Sequence, residues 1–480
     1  MGQHLPGSGD LCSLKEYRTI PDPKRGFTFS VIFVVATNTL SIRLDIHHGR
    51  IFVVKIPALG IRFIFQFPST LLKALTLALP LVFSPIAQAQ HLDTASGGEG
   101  YRRQGEYYGK VDGKPYGIQV VDFSSGKFDM NIFPGGLPGQ GWGSNPSDYI
   151  YLKSTSSSAS GTVFVGSGSA AGWTISIPPG GKTLSGTGPG NKSIDMKKIY
   201  RVSPTAGMAP PSGATVLFDG TQETYSANWT GKAPYIVGND KYLPEGNASL
   251  KDFADHTLHI EFRTPFGPES DGQSRSNSGV YIQGNYECQV LDSFGWMRGA
   301  QESGPHGNSQ GWAGGLYAWS SARINMSHPP LTWQTYDIQV TNAVFNGNNK
   351  TAPAHLTVYH NGYKVQDTII NGSTPDGGRE SALGGRVFVQ NHGGAMWYRN
   401  VWVLPGTKWA NVPALPSLDG TVSMIRPKGN ARFQKNAMTL MMGPQADVAR
   451  LYNLLGSKSM KPSRAAGLYF TPVTQNGVDR

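Results

Sequence analysis

Two cysteines in 480 residues, Cys12 and Cys288, are too few for a disulfide framework. Charge is also sparse, at 15% of residues. No apolar run reaches the roughly 18 residues that read as a membrane span. The two longest candidates, residues 27–40 and 51–67, fall short of it. Arg43, Asp45, Arg50, Lys55 and Arg62 lie between or within them. No dense Lys/Arg run is interleaved with aromatics. The net charge of +11 therefore reads as a mildly basic soluble protein, not a nucleic-acid binder. Residues 1–89 hold nine Lys/Arg and four Asp/Glu, a net of +5, which leaves +6 for the rest.

What is abundant is glycine, with 61 residues, and proline, with 33. Together with Asn, Thr and aromatics they suit a loop-rich all-β protein. Residues 71–89, LLKALTLALPLVFSPIAQA, have the layout of a bacterial secretory signal. Lys73 is the basic start, residues 74–83 are a short apolar core, and Ala87-Gln88-Ala89 is a cleavage site. The expected mature chain begins at Gln90 and is secreted or periplasmic, with no membrane span. On this reading residues 1–70 are an extension translated from a start placed too far upstream.

Short β-type runs separated by turns mark residues 100–202 as a small β module. It contains the loop Pro134-Gly135-Gly136-Leu137-Pro138-Gly139. That loop lacks the Lys-Ser/Thr of a phosphate-binding loop and reads as a tight structural turn. Residues 203–213, SPTAGMAPPSG, read as a linker. Regular short strands and no helix in residues 214–405 predict a β-sandwich of jelly-roll type. Residues 406–480 are a loosely patterned tail, with one short amphipathic helix expected over 446–455.

The densest chemistry lies in residues 277–292, two strands joined at Gly284-Asn285. Period-2 alternation puts Glu287 and Gln289 on one face. A one-residue bulge would bring Asp292 beside them. A row of Glu, Gln and Asp on a sheet is the material of acid/base work on a sugar. Glu261 and His259 alternate against Leu258, Ile260 and Phe262, so they lie on the polar side of their strand. Trp296, Trp312 and Trp319, in the long loop 293–330, are candidate sugar platforms. Trp397, Trp402 and Cys288 read as core.

These residues, with several others, resemble the 3-keto-disaccharide hydrolase family. The resemblance is carried by Leu217-Phe218-Asp219-Gly220, Leu258-His259-Ile260-Glu261-Phe262-Arg263 and Asn277-Ser278-Gly279-Val280-Tyr281. It continues through Glu287-x-Gln289-x-x-Asp292, Trp333-x-x-Tyr336-Asp337, Asn361-Gly362, Gln390-Asn391-His392-Gly393 and Tyr398-Arg399-Asn400-Val401-Trp402. The family's usual Gln-Asp-His-Gly reads Gln-Asn-His-Gly here, an amide in place of an acid. The resemblance implies a concanavalin A-like sandwich that cleaves 3-keto-glycosides by removing the C2 proton, eliminating the C1 substituent and adding water. Under it, Glu287 or Asp292 is the base and the other the acid, with Glu261 nearby. His392 and Arg399 stabilise the enolate, and Gln289, Asn277 and Tyr281 orient the sugar. A divalent metal is an alternative to those enolate donors, although no ligand spacing demands one. Glu287-x-Gln289-x-x-Asp292 also resembles the Glu-x-Asp-x-x-Glu motif of laminarinase-type β-glucanases. A direct glycosidase and a non-catalytic lectin-like module are therefore the alternatives. The discriminator is whether Glu287 and Asp292 converge in one cleft.

Overall fold

The computed structural model describes four strands between residues 17 and 57, then residues 90–297, 307–406 and 412–418. Positions 125, 144, 146, 147, 238 and 239 are excepted. The expected signal segment and the 446–455 helix lie outside the described residues. The chain divides into two compact units after residue 86. In the first, Tyr17–Asp22, Phe27–Ala36, Thr39–Ile46 and Arg50–Pro57 pair in that order as an antiparallel sheet.

The second unit begins with a closed eight-stranded barrel. Its strands run from Gly105–Val111 to Lys192–Ile199, and it closes where these two, the first and last of the barrel in chain order, pair. Alternation builds its interior: Ile175 and Ile177 point inward while Thr174 and Ser176 face out. The glycine-rich loop turns back on itself through reciprocal backbone hydrogen bonds between Leu137 and Gln140. Gly135 and Gly139 take positive φ values of 92° and 76° there. The turn also delivers Leu137 and Trp142, with Phe133, into the core of the next domain. It is the apolar plug between barrel and sandwich.

The sandwich has two antiparallel sheets. The larger runs Tyr235–Val237, Asp240–Pro244, Trp397–Pro405, His256–Arg263, Gln334–Thr341, Ala354–His360, Tyr363–Ile370, and Thr215–Phe218 also pairs with Trp397–Pro405. The smaller runs Trp229–Gly231, Asn247–Phe253, Gly385–Val389, Ser278–Ile282, Tyr286–Val290. Leu258, Ile260 and Phe262 from one sheet pack with Val280, Ile282 and Cys288 from the other. Asn361 and Gly362, with φ of 50° and 80°, make the expected hairpin turn. Gln283 and Gly284 do the same in the central hairpin, at 56° and 66°. Among the described residues no helix is long and apolar enough to cross a membrane.

Two expectations are corrected. The sandwich contains a short helix, Gln222–Asn228, whose first turn is capped by Thr221 accepting from the Thr224 amide. Residues 203–208 are not a free linker. They lie on the outer face of the larger sheet, where Ser203, Thr205 and Ala206 are fully or almost fully buried. The Thr205 hydroxyl donates to Asp337 Oδ2 (2.7 Å), and the Gly207 amide donates to Glu261 Oε1 (2.6 Å). The described part of the tail, residues 412–418, packs too: the Gln140 side chain donates to Pro416 O, and Leu415 and Leu418 rest on the core.

Candidate active site

The outer face of the smaller sheet brings together four of the expected site residues, Glu287, Gln289, Asn277 and Tyr281. Tyr281 stands between Phe388 and Glu287 in register, and Gly279 stands opposite Gln289. The Gln390 amide donates to Gly279 O (2.8 Å), which places Gln390 at the other side of that glycine. Glu287 is 3% exposed, and its Oε2 accepts from the Tyr281 hydroxyl at 3.0 Å. The rest of its carboxyl leans over Gly279, where any Cβ would overlap it. The glycine is therefore a steric requirement of this carboxyl's position. Burial pushes the Glu287 carboxyl up to about 7, the Tyr281 hydrogen bond works against that, and nearby Asp376 adds to it.

Asp376 sits in the exposed loop whose Thr374 hydroxyl accepts from the Glu287 amide (2.9 Å). On the other side, Gln289 Nε2 donates to Asn277 Oδ1 (2.7 Å) and Gln273 Oε1 (3.2 Å). Asn277 Nδ2 also donates to Gln273 Oε1 (3.1 Å). This amide cluster opens to solvent at Gln273. His392 is exposed in the loop after Gln390. Beneath that loop lies Glu245, 2% exposed, whose carboxyl burial raises to about 7. The loop's Gly394 passes near both the Asn277 carbonyl and Glu245.

Glu287, Gln289, Asn277 and Tyr281 thus share one face. Asp292 does not join them. The strand ends at Val290 with no bulge in its pairing, and Asp292 Oδ2 accepts from Arg275 Nε at 2.9 Å. Both partners are buried, and Arg275 also donates to Asp122 O in the barrel. Asp292 is therefore held in a structural ion pair.

Glu261 and Arg399 belong to the other sheet and to each other. Arg399 Nε donates to Glu261 Oε2 (2.8 Å), and Asn400 Nδ2 donates to Oε1 (2.9 Å). The Arg399 guanidinium also lies over the Trp333 ring at 4.0 Å. Against a burial cost, Arg399 and His259 hold the Glu261 carboxyl below its usual range. The polar side of that strand is real, but residues 203–208 roof it over. Trp312 and Trp296 are buried against each other with Leu291, so neither is a sugar platform. Trp319, at 40% exposed, remains accessible.

Asp376, Gln273, Gln390 and Glu245 were not singled out as site residues by the sequence reading. Gln390 stood in the quoted motif. The other three come from loops or strand ends, where no alternation pattern points to a face. Among the described residues no group of three or more His, Cys, Asp or Glu is placed to hold a metal ion.

Residues 213–404 match the family described as the 3-keto-alpha-glucoside-1,2-lyase-like domain. This part of the chain is a carbohydrate-active domain. No curated protein matches the chain. Among solved structures, a provisionally named glycosyl hydrolase from Parabacteroides distasonis is similar at 28% identity. That match covers 41% of this chain and 84% of that one, with a TM-score of 0.35. A second from the same organism is 16% identical, covers 40% and 93%, and has a TM-score of 0.28.

Proposed function

We propose that the sandwich cleaves 3-keto-glycosides, with Glu287 as the base that removes the C2 proton. The observation that carries this reading is a buried carboxyl on the outer face of the smaller sheet, poised near pH 7 and held by Tyr281. A C3 carbonyl acidifies the C2 hydrogen. Glu287 takes that proton, and the C2–H electrons form the enolate. The enolate collapses as the C1–O bond breaks, and the leaving oxygen takes up a proton. The proton on Glu287 is available for it, so one carboxyl serves both steps. Water then adds across the C1–C2 double bond to give the free 3-keto sugar. With Arg399 committed to Glu261, His392 is the remaining one of the two expected enolate donors. Glu287 and Asp292 do not converge, the outcome expected of a lectin-like module, and a direct glycosidase likewise needs two carboxyls flanking the bond. Elimination needs only the one base. On the signal-like 71–89 segment, the site is secreted or periplasmic.

The test is release of 3-keto-glucose from a 3-keto-disaccharide by the wild-type protein. Saturable sugar binding without turnover would move the reading to a lectin-like module. Gly279→Ala should lower kcat/KM about a hundredfold, because a new methyl displaces the Glu287 carboxyl and misplaced groups lose rate at that scale. Kinetics read beside a melting curve check this. An unchanged rate would mean that the carboxyl's position over Gly279 is irrelevant.

A further inference from the structure

The free edge of the smaller sheet is extended by a stretch outside its five strands. Leu316 pairs with Cys288 across that edge. The Gln289 amide donates to Gly315 O (2.9 Å), and the Tyr317 amide donates to Glu287 O (3.0 Å). Leu316 and Cys288 both lie in the core, so alternation sends Tyr317 to the outer face beside Glu287. Tyr281, Glu287 and Tyr317 therefore stand in one row, with the glutamate between two tyrosines.

The two hydroxyls differ in what they do. Tyr281 donates to Glu287 Oε2. The Tyr317 hydroxyl makes no hydrogen bond among the described residues, and its side chain is half-buried. Its backbone is nevertheless fixed. Leu316 and Ser320 exchange both backbone hydrogen bonds (2.9 and 3.0 Å), which closes a tight turn over residues 317–319. Ala318 takes a φ of 55° in it, a region that alanine seldom adopts. The Tyr317 ring runs beside Gly311, as does the Gln273 amide. Burial holds the Tyr281 hydroxyl well above its usual range, and Glu287, Asp376 and Tyr317 add to it, so Tyr317 lies within electrostatic reach of the pair.

The Glu287 carboxyl itself fills the space over Gly279, so a substrate meets it from outside that space. Half-buried Tyr317 and exposed Gln273 and Asp376 are the rim there. Loss of a C2 proton leaves negative charge on the C3 oxygen, two bonds from the carbon that Glu287 deprotonates. A donor for that oxygen must stand beside Glu287 and be free. Tyr281 is engaged with Glu287, and Arg399 with Glu261. Asp376 is an acceptor when ionised. His392 follows Gln390, on the opposite side of Glu287 from Tyr317.

We propose that Tyr317 donates its hydroxyl hydrogen to the C3 oxygen of the substrate and stabilises the enolate formed when Glu287 takes the C2 proton. This deepens the 3-keto reading and rests on it. The C2–H electron pair becomes the C2–C3 double bond, the carbonyl π pair moves onto the C3 oxygen, and Tyr317 keeps its proton throughout. The pair returns when the C1–O bond breaks.

The experiment separates enolate formation from departure of the C1 substituent. The 3-ketone of 1,5-anhydroglucitol has no leaving group, so exchange of its C2 hydrogen in D2O, followed by NMR, reports the first step alone. In Tyr317→Phe this exchange should fall about a hundredfold, the usual loss for one oxyanion donor. Turnover of methyl and of 4-nitrophenyl 3-keto-α-glucoside should fall as much as each other. KM should move less than about threefold, because the bond tightens only as charge develops. The acid limb should stay at the wild-type pH, since Tyr317 is not among the groups that set the Glu287 titration. Tyr317→Gln keeps a donor and should recover part of the exchange that Tyr317→Leu loses, a comparison that stands even if the phenylalanine variant folds poorly. Wild-type exchange rates in Tyr317→Phe would overturn the proposal. So would a loss confined to the methyl glucoside, which would put the hydroxyl on the leaving oxygen. Absence of both exchange and turnover in the wild-type protein would instead remove the 3-keto reading, and this inference with it.

Discussion

Glu287→Gln should lower turnover of a 3-keto-glucoside by about 10²–10⁴-fold, the usual size of a lost acid–base step. It should also stabilise the fold in mild alkali. The folded carboxyl titrates near 7, above the ordinary 4.5, because burial penalises its charge. Such a group costs stability as pH rises from 4.5 to 7, and the full cost remains above 7. That span is on the order of 3 kcal/mol. A neutral amide is spared it, so at pH 8 the variant should melt higher than the wild type. A solvent-facing glutamate would show neither effect. The wild-type kcat/KM should fall tenfold per pH unit below about 7 and level off above it. Tyr281→Phe removes a hydrogen bond that favours the carboxylate, so its acid limb moves to higher pH. Asp376→Asn removes a neighbouring negative charge, so its limb moves to lower pH. Opposite shifts from these two variants would tie the limb to Glu287. A limb that ignores both would assign the titration to another group.

The hairpin that carries Glu287 was legible because a strand's period is short and its turn is local. Gly284 and Asn285 mark the turn, and two-residue alternation puts Glu287 with Gln289 whatever the surroundings. Alternation stops being informative where the strand stops. Val290 is the last paired residue, so the bulge that would have brought Asp292 to the same face has no strand to sit in. The His259 and Glu261 face shows a different limit. Alternation correctly set them opposite Leu258 and Ile260, but a sequence does not say what lies over a polar face. Residues 203–208 looked like a tether because Pro and Gly break regular structure. Those same residues let the backbone lie flat enough for Gly207 to donate to Glu261. The all-β architecture was evident from turn spacing. The closure of residues 105–199 into a barrel depends on pairing between distant strands, which no local pattern reports.

Asp292→Asn separates the two roles this residue could have. As an acid in the site, it would lose activity at unchanged stability. As the partner of Arg275, it should lose about 3–5 kcal/mol of stability, because a buried guanidinium is left without its counter-charge. Arg275 is fully buried, stacked on Phe123, and hydrogen-bonded to the Ser270 and Asp122 carbonyls. It cannot swing out to water without opening the contact between barrel and sandwich. Replacing both partners by apolar groups of similar shape is often nearly neutral for a buried pair. Asp292→Leu combined with Arg275→Met should therefore recover most of the stability that Asp292→Asn loses. It should also retain turnover, since Glu287, Gln289 and Tyr281 are untouched. Denaturant titrations of the single and double variants, with activity measured on the same samples, decide it. Loss of activity in a stable double variant would return Asp292 to the chemistry, and recovery of both would confine it to the joint between the two domains.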